Sequence, residues 1–102
     1  MLLDALDWLG HSGFRIRAGK AHVYIDPYRV PEGSPPADLI LITHGHYDHF
    51  SPQDVERLST KRTWLVGPAA VAERVSGQVH SIAPGELLED GLVRGVHVAA
   101  VA

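Results

Sequence analysis

The chain has no cysteine. That excludes disulfides and thiolate metal ligands and leaves histidine and carboxylate as the strong ligand types, so any metal site here must use nitrogen and oxygen. It also lacks a basic stripe. The formal charge is −3, and its 9 basic residues, Arg15 and Arg17 through Arg74 and Arg94, are scattered among 12 acidic ones. No nucleic-acid footprint is expected from that distribution. No apolar run approaches the roughly 20 residues of a membrane span, and Met1–Asp7 carries acids where a signal peptide carries bases, so no membrane partner and a cytoplasmic location are expected. Internal repeats and low-complexity tracts are absent as well, and the breaker-rich stretch Pro31-Glu32-Gly33-Ser34-Pro35-Pro36 is short enough for a surface loop.

What is present suits one compact unit. At 102 residues and 45% hydrophobic content the chain can bury a core. Residues 5–9, 13–17 and 21–25 read as strands separated by turns at Gly10–Ser12 and Ala18–Lys20, an antiparallel meander. Residues 37–43, Ala-Asp-Leu-Ile-Leu-Ile-Thr, form an apolar run of strand length that predicts a strand buried on both faces. Residues 51–59 open like a helix, with Ser51 as cap, Pro52 at the first helical position and Asp54 able to reach back as a capping-box acid. Strands at 63–66, 78–82, 86–89 and 92–101 and a short helix at 68–75 complete the pattern, a mixed α/β unit with helices packed on a sheet.

Between the buried strand and the capped helix stands Thr43-His44-Gly45-His46-Tyr47-Asp48-His49, with four metal-competent side chains within six residues. The C-terminal edge of an α/β sheet is where ligands usually bind. Positions two apart in extended chain point the same way, so His44 and His46 can converge on one ion, while the turn toward the helix re-aims Asp48 and His49 toward a second point. Imidazole and carboxylate suit zinc and also accept manganese or iron. A zinc-bound water ionises near neutral pH and serves as a hydroxide nucleophile, and Asp48 beside it could act as general base.

Thr-His-x-His-x-Asp-His after an apolar strand resembles the signature of the metallo-β-lactamase superfamily. Trp8–Phe14, Ile25-Asp26-Pro27-Tyr28, Ala37–His44 and Ala83-Pro84-Gly85-Glu86 resemble in particular the branch of ascorbate 6-phosphate lactonase-like proteins. The resemblance implies an αββα sandwich of about twice this length, of which residues 1–102 supply a single N-terminal half-domain, incomplete at its C-terminus. It implies that His44 and His46 bind one metal ion and Asp48 and His49 the other. A third histidine, a bridging aspartate and a final histidine are expected from later sequence. It places the loop of His11 near the metal cleft, where that residue would contact substrate or support a ligand, a plain turn histidine being the other reading. Asp26 resembles a buried group that orients the ligand loop through hydrogen bonds, an alternative being a simple turn former before Pro27. His22, His80 and His97, each alone in a strand pattern, read as surface or packing residues.

The expected activity is a metal-dependent hydrolase that directs a metal-bound hydroxide at a small-molecule ester, lactone or phosphoester, with two zinc ions in the complete site. Because zinc catalysis wants three protein ligands per ion, full activity is expected to need the absent half. Two rival classes are a non-catalytic half-fold that pairs with another chain through the apolar stretch Val96–Ala102, and oxygen chemistry at iron; a half-sandwich with an uncovered apolar sheet face is also expected to self-associate.

Overall fold

The computed structural model describes residues 5–10, 13–18, 20–27, 30–43, 51–82, 87–93 and 96–99, and side chains for 15–17, 20–27, 30–43 and 51–82. Six strands form one sheet in chain order: β1 (Ala5–Gly10), β2 (Gly13–Ala18), β3 (Ala21–Ile25), β4 (Leu39–Leu41), β5 (Trp64–Gly67) and β6 (Gln78–Ser81). The first three make an antiparallel meander, and β3 through β6 run parallel. Helix α1 (Pro52–Leu58) connects β4 to β5, and α2 (Ala69–Ala72) connects β5 to β6. Strands β7 (Leu87–Val93) and β8 (Val96–Ala99) pair separately as an antiparallel hairpin. This is the mixed α/β sheet with helices that the sequence pattern led us to expect.

Register explains why these segments are strands. Tyr24, Ile40, Leu65 and Val79 lie side by side across four parallel strands, and all four belong to the core that also takes Val55 and Leu58 from α1 and Val71 from α2. One residue earlier on the strands, Val23, Leu39 and Trp64 form the adjacent row, and with Val66, Ile16, Leu41 and Ile82 they build a second cluster. Alternate residues point to opposite sheet faces, so the two clusters are the two faces. Both faces of β4 are apolar because both are covered.

The observed β4 is shorter than the expected 37–43 because the ends of that apolar run use other partners. Ala37 N–H donates to the Leu58 carbonyl at the end of α1, and Thr43 N–H donates to a side chain, Asp26 Oδ1. Ile42 still bonds to β5, its N–H donating to the Val66 carbonyl at 2.9 Å. The second correction concerns the chain's end. Instead of strands at 86–89 and 92–101, β7 runs through Gly91 to Val93, absorbing the extra residues as an irregularity in its pairing with β8.

Helix α1 begins as its sequence suggests. Ser51 is extended, its Oγ accepts from Asp54 N–H at 3.3 Å, and Pro52 occupies the first turn. The helix stops at Ser59, which returns to extended geometry while its Oγ donates to the Val55 carbonyl. Helix α2 covers only Ala69–Ala72 of the expected 68–75, followed by turn residues. Among the described residues, no helix is long and apolar enough to cross a membrane.

Candidate metal centre

The parallel strands all end on one sheet edge, at Ile25, Leu41, Gly67 and Ser81. Because β1 is antiparallel to β2 and β2 to β3, the end of β1 at Gly10 and the start of β2 at Gly13 lie at that same edge. His44, His46, Asp48 and His49, and His11 in the turn, lie outside the described residues. What the structure describes is how the chain enters and leaves residues 44–50.

The entrance is held by Asp26. This residue follows the last residue of β3, is only 3% exposed, and has a positive φ of 47°. Few side chains tolerate that left-handed conformation, and aspartate is among those that do. Asp26 N–H donates to the Leu41 carbonyl at 2.8 Å, pinning the turn to the end of β4. The carboxylate then accepts twice from one residue: Thr43 N–H at 2.7 Å on Oδ1 and Thr43 Oγ–H at 2.6 Å on Oδ2. A carboxylate this deeply buried needs such donors to offset its lost hydration. Thr43 immediately precedes His44.

The exit is held by α1. Asp54 is 5% exposed and its Oδ1 accepts from Val30 N–H at 3.0 Å. Arg57, one turn along, donates from Nη2 to the Val30 carbonyl at 2.7 Å and to the Pro31 carbonyl at 3.4 Å, with its Nη1 3.8 Å from Asp54 Oδ1. The sequence pattern gives Asp54 only a capping role and marks out no role for Arg57. An acid three residues after a cap suits both uses, and nothing in the local pattern says which backbone N–H it will meet.

The other singled-out residues have less to do with this edge. His22 is half-buried on β3, and its Nδ1 is buried with no hydrogen-bond partner among the described residues. His80 is half-buried on β6, and the side chain of His97 lies outside the described residues. Tyr24 is fully buried and donates to the Pro35 carbonyl at 2.6 Å, closing the proline-rich loop onto the sheet. Burial raises the pKa of its phenol, an effect that Arg15 and Ser34 partly offset. A groove lined by Pro52, Val55, Glu56, Ser59, Arg74, Val75 and Ser76 runs between α1 and the turn after α2, and its lining contains no histidine. Among the described residues, no group of three histidines or carboxylates could hold a metal ion.

The donor set of residues 44–49 fits a divalent ion. Three imidazoles and one carboxylate stand in a stretch whose two flanks, Thr43 and Ser51, are hydrogen-bonded into the sheet edge and the helix cap.

Comparison with known proteins concerns the chain as a whole. The model of the family described as the Beta-lactamase superfamily domain matches residues 5–102. A UPF0173 metal-dependent hydrolase of Methanopyrus kandleri is 35% identical over 82 residues, covering 72% of this chain and 34% of its own length. A UPF0173 metal-dependent hydrolase of Mesorhizobium japonicum is 47% identical over 57 residues, covering 45% of this chain and 23% of its own. Among solved structures, a protein of Parabacteroides distasonis named as a metal-dependent hydrolase superposes with a TM-score of 0.75 at 21% identity, over 83% of this chain and 40% of that one. The metallo hydrolase Igni18 of Ignicoccus hospitalis gives 0.71 at 20% identity, over 95% of this chain and 47% of that one. The chain therefore spans less than half the length of these relatives, and the solved structures share its fold.

Proposed function

The chain belongs to the beta-lactamase superfamily, and on that footing we propose that it carries the metal-binding loop of a metal-dependent hydrolase. The observation that carries the reading is the double hydrogen bond from Thr43 to buried Asp26, which fixes the chain directly before a run of three histidines and an aspartate. A buried carboxylate spent on a loop entrance makes sense where the residues that follow must be held in place.

In this proposal His44 and His46 hold one ion and Asp48 and His49 a second, zinc being the favoured metal and manganese or iron acceptable to the same donors. When bound, a divalent ion supplies Lewis acidity and brings the pKa of a water toward neutrality. The chain's own residues do the rest. Asp48 accepts a proton at its carboxylate, Asp26 holds Thr43 and so aims His44, and His11 in the neighbouring turn meets the substrate. The substrate class we favour is an ester, lactone or phosphoester, with the ascorbate 6-phosphate lactonase-like branch as the nearest chemistry. Further ligands are proposed to come from additional sequence, on the same polypeptide or on a partner.

The test is hydrolysis of p-nitrophenyl esters, a simple lactone and p-nitrophenyl phosphates by the protein at its native length, before and after chelation. Turnover lost to chelator and restored by zinc supports the reading. Turnover indifferent to chelator, or oxygen consumption with iron as the retained metal, overturns it.

A further inference from the structure

We propose that Asp54 and Arg57 are positioning residues for the metal-ligand segment, acting through Val30, so that the single stretch Asp26–Pro31 fixes both ends of residues 44–50. The inference rests on the metal-binding reading above and adds to it residues that touch neither metal nor substrate.

Val30 lies between β3 and β4, outside any strand, yet it is buried in the core against Val55 and Leu58. Its backbone N–H and carbonyl lie outside any strand, and buried backbone groups left unpaired are costly. Side chains of α1 satisfy both: Asp54 accepts from the N–H and Arg57 donates to the carbonyl. The same Asp54 gives its own N–H to Ser51 Oγ, the cap on which residues 44–50 end. Four residues back along the chain from Val30, Asp26 grips Thr43, on which that segment begins. Entrance and exit of the ligand segment are thus tied to one short piece of chain, and a helix rotation or slide would have to break the bonds at Val30.

A buried acid is more than helix capping requires, since Ser51 already caps α1. Its pairing with Arg57 and Val30 is explained if the first turn of α1 must sit in one place relative to Asp26. Fixing both ends of a ligand segment lowers the ordering cost of binding and keeps its donors converged.

The test is a zinc titration of the chain followed by the histidine Cε1–H NMR signals, which read weak as well as strong binding, on variants confirmed folded by their spectra. Asp54→Ala is expected to weaken zinc binding about tenfold, the lower end of what loss of an outer support costs a metal site. Asp54→Asn, whose amide oxygen still accepts from Val30 N–H, is expected to restore most of the affinity. Val71→Ala, which opens the core at α2 away from this tether, should lower stability and leave zinc affinity unchanged. If Asp54→Ala does not fold, Arg57→Ala replaces it, because that side chain is 46% exposed and its removal leaves the core intact; a loss of affinity supports the proposal and parental affinity overturns it. Parental affinity in Asp54→Ala, or an equal loss in Val71→Ala, overturns the tether and leaves the metal reading standing. Absence of any zinc-dependent histidine shift in the parent overturns the metal reading and the tether with it.

Discussion

Asp26 takes both hydrogen-bond donors that Thr43 offers, the backbone N–H at 2.7 Å and the hydroxyl at 2.6 Å, one on each carboxylate oxygen. Hydrogen bonds to an ionised group contribute more than neutral ones, so Asp26→Ala should cost about 2–3 kcal/mol in a urea unfolding experiment. Asp26→Asn, which keeps an acceptor for the Thr43 N–H, should cost less. Thr43→Val removes the hydroxyl bond and keeps the N–H bond. In a double-mutant cycle of Asp26→Ala with Thr43→Val the coupling should be about 1 kcal/mol or more, and additive effects would mean the contact contributes nothing.

Gly67 ends β5 close beside Ile42. A Cβ at that position would stand 3.2 Å from the Ile42 carbonyl oxygen and 3.3 Å from Ile42 Cβ. Backbone cannot swing aside as a side chain can, so the strain must pass into Ile42 and from there to Thr43. Gly67→Ala is expected to destabilise the protein by about 1–3 kcal/mol and to shift the amide resonance of Thr43. An unmoved Thr43 resonance would show that the sheet edge absorbs the methyl group elsewhere.

Tyr24 sets an alkaline limit. Burial raises its pKa in the folded protein, so folding favours the protonated phenol. The stabilisation is therefore complete below about pH 10, the value of an unperturbed tyrosine, and is lost as pH rises through the higher folded value. Tyr24→Phe should flatten that alkaline loss of stability while costing about 1 kcal/mol near neutral pH for the missing bond to the Pro35 carbonyl. Parallel stability curves for the two proteins between pH 9 and 11 would refute this.

Much of the scaffold can be read from the residue pattern because its determinants are local. Alternation in Gly13–Arg17 and Ala21–Ile25 marks the meander, and Ser51-Pro52 marks the start of α1. Where the structure departs from the sequence pattern, a contact distant in sequence decides the outcome. β4 ends at Leu41 because Asp26, 17 residues earlier, captures Thr43. Asp54 serves Val30, 24 residues away, as well as its own helix. The left-handed turn at Asp26 is equally hard to anticipate, since Asp-Pro also makes ordinary turns. The proposed ligands His44, His46, Asp48 and His49 stand out in the sequence through their density alone.

The central claim is that His44 and His46 share a metal ion, and cobalt(II) titration followed by visible absorption tests it most directly. The account predicts ligand-field bands that grow and saturate for the parent chain and are clearly weaker at saturation for the His44→Ala/His46→Ala double variant, which keeps only Asp48 and His49. Identical spectra for the two proteins, or no bands in the parent, would contradict it.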